Sequence, residues 1–153
     1  MKVLIIAAII LIIGFFYIFT IREGHNWGDD FAMYIRHAKN IAEGTNYRIG
    51  DYIYPPANVY RRSYPPVFPL LLSPIYKFFG LNLKAMKAEI IFFFLSFLFA
   101  FFLIFKNDLP FKYLAAVVCI IGFNPYFWDV KDNIMSDIPF ILFLYLPHFH
   151  DLN

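Results

Sequence analysis

The chain has 153 residues, of which 61% are hydrophobic, 22% aromatic and only 16% charged. This composition excludes an ordinary soluble domain of the same length and predicts an all-α, multi-pass integral membrane protein. The formal net charge of +2 is small, and the basic residues form no stripe along a helix face, which excludes nucleic-acid binding.

The first segment, residues 3–21, carries no charge and is followed by Arg22 and Glu23. A helix of this length extends roughly 28 Å, which is close to the thickness of a hydrocarbon core. A signal peptide is the competing interpretation, because Lys2 supplies a short positive region. The apolar stretch is longer than a usual signal core, and no small-residue cleavage motif follows it. We therefore predict an uncleaved first transmembrane helix over residues 3–21.

An acidic pair, Asp29 and Asp30, opens the next segment, where apolar residues recur at helical spacing as far as Gly44. The polar residues of this segment fall on its other side and are Arg36, His37, Lys39, Asn40 and Glu43. Two acids in a first turn suit the positive end of the helix dipole, so the pair fits a plain cap on a surface helix. The alternative is that one carboxylate is held over the bilayer as a general base.

A polar, aromatic loop over residues 45–66 follows and contains two Tyr-Pro-Pro triplets, whose prolines predict an ordered, extended chain. The apolar segment after it, residues 67–79, is interrupted by Pro69 and Pro74. We predict that this segment lies along the membrane interface and does not span the bilayer. The first outer loop, residues 22–82, would then be partly helical.

Three more membrane helices are predicted. Residues 83–105 end in a long apolar run, and residues 113–128 form a third span with Asn124-Pro125 near its far end. A partial fourth span covers residues 138–147, where the apolar run is shorter than the roughly 20 residues that a span needs. The short basic connection between the second and third spans favours a cytoplasmic N-terminus.

Five short motifs lie between and within these hydrophobic segments. In chain order they are Asp29-Asp30 with Tyr34, Ala42-Glu43-Gly44, the Tyr-Pro-Pro-Val-Phe-Pro-Leu-Leu-Leu stretch at residues 64–72, Asn124-Pro125-Tyr126-Phe127, and Ser136-Asp137-Ile138-Pro139-Phe140. Together they resemble the membrane glycosyltransferases of the GT-C superfamily. The nearest likeness is to relatives of dolichyl-phosphate-mannose protein mannosyltransferases and of bacterial lipid A aminoarabinose transferases. The resemblance covers nearly all of residues 28–140.

The resemblance implies an enzyme that takes a sugar from a polyprenyl-phosphate carrier and passes it to an acceptor at the outer membrane face. The base in such enzymes is an aspartate of the first outer loop. The acidic-pair pattern points to Asp29, whereas the spacing to Tyr34 points to Asp30, and we favour Asp30 while keeping both. Asp137 matches the second acidic position at the mouth of a later helix, although an ordinary helix-start acid before Pro139 explains it too.

The resemblance also implies cations for the carrier phosphate and aromatic rings for the sugar. Arg61 and Arg62 are the first choices for the phosphate, followed by Lys84 and Lys87, although each also fits a snorkelling interfacial cation. Tyr34 and Tyr64 suit a sugar face, and an interfacial aromatic belt explains them equally well. No cofactor is certain, but a carboxylate pair is able to ligate a divalent cation such as Mg²⁺ or Mn²⁺.

Members of this family are several times longer than this chain, which stops inside the fourth helix. We therefore expect an N-terminal piece of a glycosyltransferase, with the activity belonging to the intact protein. The alternative from another class is a small non-catalytic multi-pass membrane protein that binds a partner or a lipid intermediate.

Overall fold

A computed structural model describes residues 1–48 and 64–148, except for the side chain of Asp29. This part of the chain is helical and contains no strand. Its helices are α1 (Lys2–Phe19), α2 (Asp29–Glu43), α3 (Val67–Phe79), α4 (Leu83–Phe105), α5 (Phe111–Gly122), α6 (Pro125–Val130) and α7 (Asp137–Tyr145). The all-α prediction is confirmed for the described residues.

The chain divides into two compact units. The first, here called the apolar unit, contains Met1–Ile21, Ile90–Lys131 and the described chain from Asp137 onward. The second, here called the polar unit, contains the described parts of Arg22–Glu89 together with Asp132–Ser136. The candidate base Asp30 lies in the polar unit, whereas Asp137 begins α7 in the apolar unit.

Two helices, α1 and α4, are long and apolar enough to cross a membrane, as judged by length and composition. Helix α4 has the bounds predicted for the second span, and α1 begins and ends slightly before the predicted first span. One face of α1 is buried, with Ile6, Ile10 and Ile13 at helical spacing, while large apolar residues such as Leu11 are exposed. An exposed apolar face of this kind suits lipid better than water.

The helices of the apolar unit approach one another closely at small residues. A Cβ atom on Gly14 would lie 2.8 Å from the Leu95 side chain, and one on Gly122 would meet Ile13. Glycine at such positions lets helix backbones pack tightly, which is the main source of helix association in lipid. The ring of Tyr17 stacks on Phe94, with centroids 5.3 Å apart.

The C-terminal end of α1 is closed by polar groups from the same unit. Lys131 is fully buried, and its ammonium donates to the carbonyl of Thr20 over 2.8 Å. The indole of Trp128 donates to the Thr20 hydroxyl over 3.0 Å. The bond from Lys131 satisfies a backbone carbonyl at the helix end, where the helix itself supplies no donor.

The predicted third helix, residues 113–128, is not continuous. Helix α5 ends at Gly122 and α6 begins at Pro125, with Asn124 as its N-cap. The Asn124 side chain accepts from the Tyr126 N–H over 2.8 Å, and Pro125 lacks the N–H that a continuing helix needs. The sequence analysis placed this Asn-Pro pair inside a span, whereas the pair ends one helix and starts another.

The stretch from Val67 to Phe79, in contrast, forms one helix despite its prolines. Pro74 cannot donate to the carbonyl of Leu70 four residues earlier, but the Ser73 hydroxyl donates to that carbonyl over 2.8 Å. The helix ends at Gly80, whose φ of 63° favours glycine. The prolines therefore do not break this element, although it remains shorter than a membrane span.

Helix α2 matches its predicted bounds and ends at Gly44, with φ 67°. Its predicted polar face, however, is largely covered: Arg36, His37 and Asn40 are buried. The Asn40 amide donates to the carbonyls of Asn46 and Tyr47. The chain after Gly44 therefore folds back over the polar side of α2. Helix α2 is thus not the exposed surface helix that the interpretation of the acidic pair as a plain cap assumed.

Candidate functional site

The first turn of α2 carries the predicted acidic pair. Gly28 is the N-cap in an extended conformation, and the Phe31 N–H donates to its carbonyl over 3.1 Å. Asp30 is half-buried in this turn, where the positive end of the helix dipole favours a negative charge. Asp29 opens the helix, but its side chain lies outside the described part of the structure.

His25 lies beside the same helix start, although the sequence analysis did not single it out. Its ring meets Trp27 and Phe31 edge-on, with centroid distances of 5.0 Å and 6.0 Å. Neither ring nitrogen has a hydrogen-bond partner in the described chain, and both are buried. Burial and, to a smaller extent, the charge of Lys87 lower the pKa of His25 to about 4, against a smaller opposing effect of the Phe31 backbone. The imidazole is therefore neutral at pH 7.

Tyr34, one turn after Asp30, is the point where three of the sequence motifs meet. Its ring lies 5.2 Å from that of Tyr64 and 4.9 Å from that of Phe68. Its hydroxyl is 3.0 Å from the hydroxyl of Ser136. Tyr64 and Phe68 belong to the Tyr-Pro-Pro motif, and Ser136 opens the last motif, so contacts within the polar unit bring together residues more than 100 positions apart.

A buried ion cluster forms the second feature of the polar unit. Asp132 accepts from the Arg22 side chain over 2.8 Å and from its backbone N–H over 2.9 Å. The ammonium of Lys87 lies 3.6 Å from Oδ1 of the same carboxylate and donates to the carbonyls of Arg22 and Gly24 at 2.7 Å each. The sequence analysis missed Asp132, because an acid in the connection between α6 and α7 carries no pattern.

The predicted phosphate contacts have different environments. Lys87 is buried and engaged in the ion cluster, so its charge is already neutralised by Asp132. Lys84 is exposed and pairs with Glu23 at 3.4 Å. Arg61 and Arg62 lie outside the described residues. Asp137 is exposed in the first turn of α7, as expected for an acid at a helix start.

Tyr47 and His37 complete the interior beside α2. Their rings stack with centroids 4.1 Å apart, and the Tyr47 hydroxyl donates to the Tyr64 carbonyl over 2.8 Å. Burial, and to a smaller extent the charge of Arg36, lower the pKa of His37 to about 4. Burial also raises the pKa of Tyr47. These contacts hold Tyr64 close to Tyr34 and thereby keep the aromatic group rigid.

Among the described side chains, the arrangement offers one carboxylate, Asp30, in a helix start flanked by aromatic rings. A carboxylate of this kind is able to accept a proton from a hydroxyl or amine, and aromatic faces suit the apolar face of a sugar. No group of three or more His, Cys, Asp or Glu that could hold a metal lies among the described residues. A divalent cation at the acidic pair therefore stays a prediction from sequence.

Comparisons with known proteins add no assignment: no family model matches the chain, and neither the curated proteins nor the solved structures include a significant match. The site is therefore interpreted from its own residues and contacts. The polar unit supplies both the candidate base and the residues that position it.

Proposed function

We propose that this chain forms the N-terminal part of a membrane glycosyltransferase of the GT-C type. The enzyme transfers a sugar from a polyprenyl-phosphate carrier to an acceptor at the outer membrane face, and its N-terminus is cytoplasmic. The observation that carries the proposal is the contact of Tyr34 with Tyr64, Phe68 and Ser136. Motifs that resemble the family in sequence but lie far apart in the chain meet at one place, one turn from Asp30.

In the proposed reaction, the carboxylate of Asp30 accepts the proton of the acceptor hydroxyl or amine. The freed electron pair forms a bond to the anomeric carbon of the sugar, and the bond from that carbon to the carrier phosphate breaks. The phosphate leaves with the electron pair and stays on the lipid. The residues of this chain position the base and the sugar, while the apolar helices suit the lipid tail.

The rigid setting of α2 supports a positioned base. Tyr34 is buried and contacts Phe68 of α3 and the hydroxyl of Ser136, so α2 is packed against α3 one turn after Asp30. A general base contributes about 10²- to 10⁴-fold only when it is held within hydrogen-bond reach of the proton. Helix packing of this kind provides that constraint.

The test replaces Asp30 by Asn in the natural gene and measures sugar transfer from a radiolabelled polyprenyl-phosphate donor in membranes. We expect a loss of about 100-fold or more, because the amide cannot accept the proton. Asp108→Asn is the matched control, since Asp108 is exposed in the connection between α4 and α5. Asp29→Asn and Asp137→Asn are measured in parallel.

Three outcomes separate the alternatives. Loss in Asp29→Asn with normal transfer in Asp30→Asn would move the base by one residue. Normal transfer in all three variants would overturn the assigned base. The third outcome is that membranes with the unsubstituted protein show no transfer and that cells carrying any of the three variants keep their normal phenotype. This outcome would favour the non-catalytic membrane protein that binds a partner or a lipid intermediate.

A further inference from the structure

A cavity of about 400 Å³ in the polar unit lies outside the proposed catalytic site. It opens between the end of α3 and the start of α4. Its lining includes three basic residues, Arg22, Lys84 and Lys87, and one acidic residue, Glu23. When Asp132, which pairs with Arg22 and Lys87, is counted with them, the group keeps a net positive charge.

The basic residues of this cavity differ in what they offer a ligand. Lys87 is only 2% exposed, pairs with Asp132 and donates to two carbonyls, so it lines the cavity without reaching a ligand. Arg22 is 49% exposed and is held in place through its bonds to Asp132. Lys84 is 70% exposed. A rigid arginine and an accessible lysine at the rim of one cavity are suited to bind an anion.

The ion pair between Lys84 and Glu23 does not block such binding. The two groups are 3.4 Å apart, and Glu23 is 88% exposed. Exposed pairs contribute little to stability, because water and salt screen them. A phosphate at the rim would accept charge-assisted hydrogen bonds from both the Lys84 ammonium and the Arg22 guanidinium, whereas Glu23 pairs with Lys84.

The same cavity also has an apolar side. Phe79 and Leu81 line it and are exposed, and α4, whose first turn lines the cavity, is one of the two helices apolar enough to cross a membrane. A free anion would leave these apolar side chains in water. A ligand with an anionic head and an apolar body would cover them, and basic pockets beside membrane helices bind lipid head groups.

We propose that this cavity binds the phosphate head group of an anionic membrane phospholipid, with Lys84 and Arg22 on the phosphate and Phe79 and Leu81 against the upper acyl chain. The bound lipid attaches the start of α4 to the membrane surface. This binding needs neither Asp30 nor the sugar donor, so it stands or fails separately from the proposed transferase activity.

The experiment measures lipid binding to the purified full chain in detergent, by native mass spectrometry, with phosphatidylglycerol and phosphatidylcholine as probes. We expect phosphatidylglycerol to bind preferentially and Lys84→Gln to weaken that binding about fivefold, as one lysine near an anionic surface does. Lys77→Gln is the matched control, because Lys77 is exposed on α3 and does not line the cavity. Glu23→Gln should strengthen binding about twofold, since it removes the competing carboxylate.

Opposite effects of Lys84→Gln and Glu23→Gln, with Lys77→Gln unchanged, would support the proposal. Equal weakening in Lys84→Gln and Lys77→Gln would overturn it, because the binding would then reflect overall charge. Displacement of phosphatidylglycerol by millimolar inorganic phosphate would show a site for soluble anions and also overturn it. A short isoprenyl monophosphate that binds at least tenfold tighter, with the same dependence on Lys84, would assign the cavity to the sugar donor instead.

Discussion

The apolar unit and the polar unit are stabilised in different ways. Among the described residues, Lys131 is the only buried charged side chain of the apolar unit, whereas the polar unit buries three, namely Arg36, Lys87 and Asp132, together with the polar His37, Asn40 and Ser73. The apolar unit also exposes many large apolar residues, as a lipid-facing surface does.

This difference determines how each unit responds to substitution. Apolar packing is a sum of many small contacts. A change of one methyl group therefore costs little stability unless it falls where two helices lie very close together. A buried polar group that loses its partner leaves another buried group unsatisfied, which costs far more. Single changes in the polar unit should therefore have the larger effects.

The largest effect on stability is expected for Asp132→Asn in the polar unit. The substitution removes the negative charge between Arg22 and Lys87, so the buried ammonium of Lys87 loses the counter-charge that Asp132 supplies. We expect the free energy of unfolding in detergent to fall by about 3 kcal/mol. Asp108→Asn, at an exposed position, should change it by less than about 0.5 kcal/mol. Equal effects of the two variants would contradict a buried ion cluster.

A smaller effect is expected from the pH dependence of His37. Its folded-state pKa is about 4, below the ordinary value of about 6.5, so the unfolded chain takes up a proton first as the pH falls. The contribution to stability is complete above pH 6.5 and is lost progressively between about pH 6.5 and pH 4. We expect His37→Phe, which keeps a ring beside Tyr47, to reduce this loss by about 2 kcal/mol.

The measurement for His37 compares thermal unfolding midpoints at pH 7 and pH 4.5. His148→Phe is the control, because His148 is exposed and the titration of carboxylates is common to both variants. A pH dependence that is the same in both variants would show that His37 is not the titrating group.

The smallest effect is expected in the apolar unit, for Gly122→Ala. The added methyl group would meet the Ile13 side chain and lie 3.4 Å from Leu98, whereas alanine gains about 1 kcal/mol of helix propensity. We expect a net loss of about 1 kcal/mol, measured by unfolding in detergent. Gly14→Ala should be nearly neutral, because one flexible end of Leu95 can move away. A stabilised Gly122→Ala variant would show that the helices do not approach closely there.

Local signals predicted much of the helical structure. Periodic apolar residues and the glycine that follows them predicted α2 from Asp29 to Glu43, and the apolar run predicted α4 with its observed bounds. Local signals failed at two places where a single residue decides whether a helix continues or ends. Asn124 caps a new helix within a predicted span, and the hydroxyl of Ser73 compensates for Pro74 within a segment predicted to be broken.

The candidate site was only partly accessible from sequence. The acidic pair was identified by its position at the start of α2, and the resemblance favoured Asp30 within it and associated Tyr34 and Tyr64 with the same site. Sequence reasoning assigned Lys87 to a phosphate, whereas the structure places it in an ion cluster with Asp132. No pattern marks His25 or Asp132, because their environments depend on residues that are distant in the chain.

The sequence by itself determined where most helices begin and end, since hydrophobic period, caps and chain breakers act over a few residues. Only the tertiary structure decided which polar residues are buried, because burial depends on what packs against them. Arg36, His37 and Asn40 have the sequence spacing of an exposed face, and they are buried because the chain after Gly44 returns across them. The contact between Tyr34 and Ser136 is likewise a property of the folded chain, since 102 positions separate the two hydroxyls in sequence.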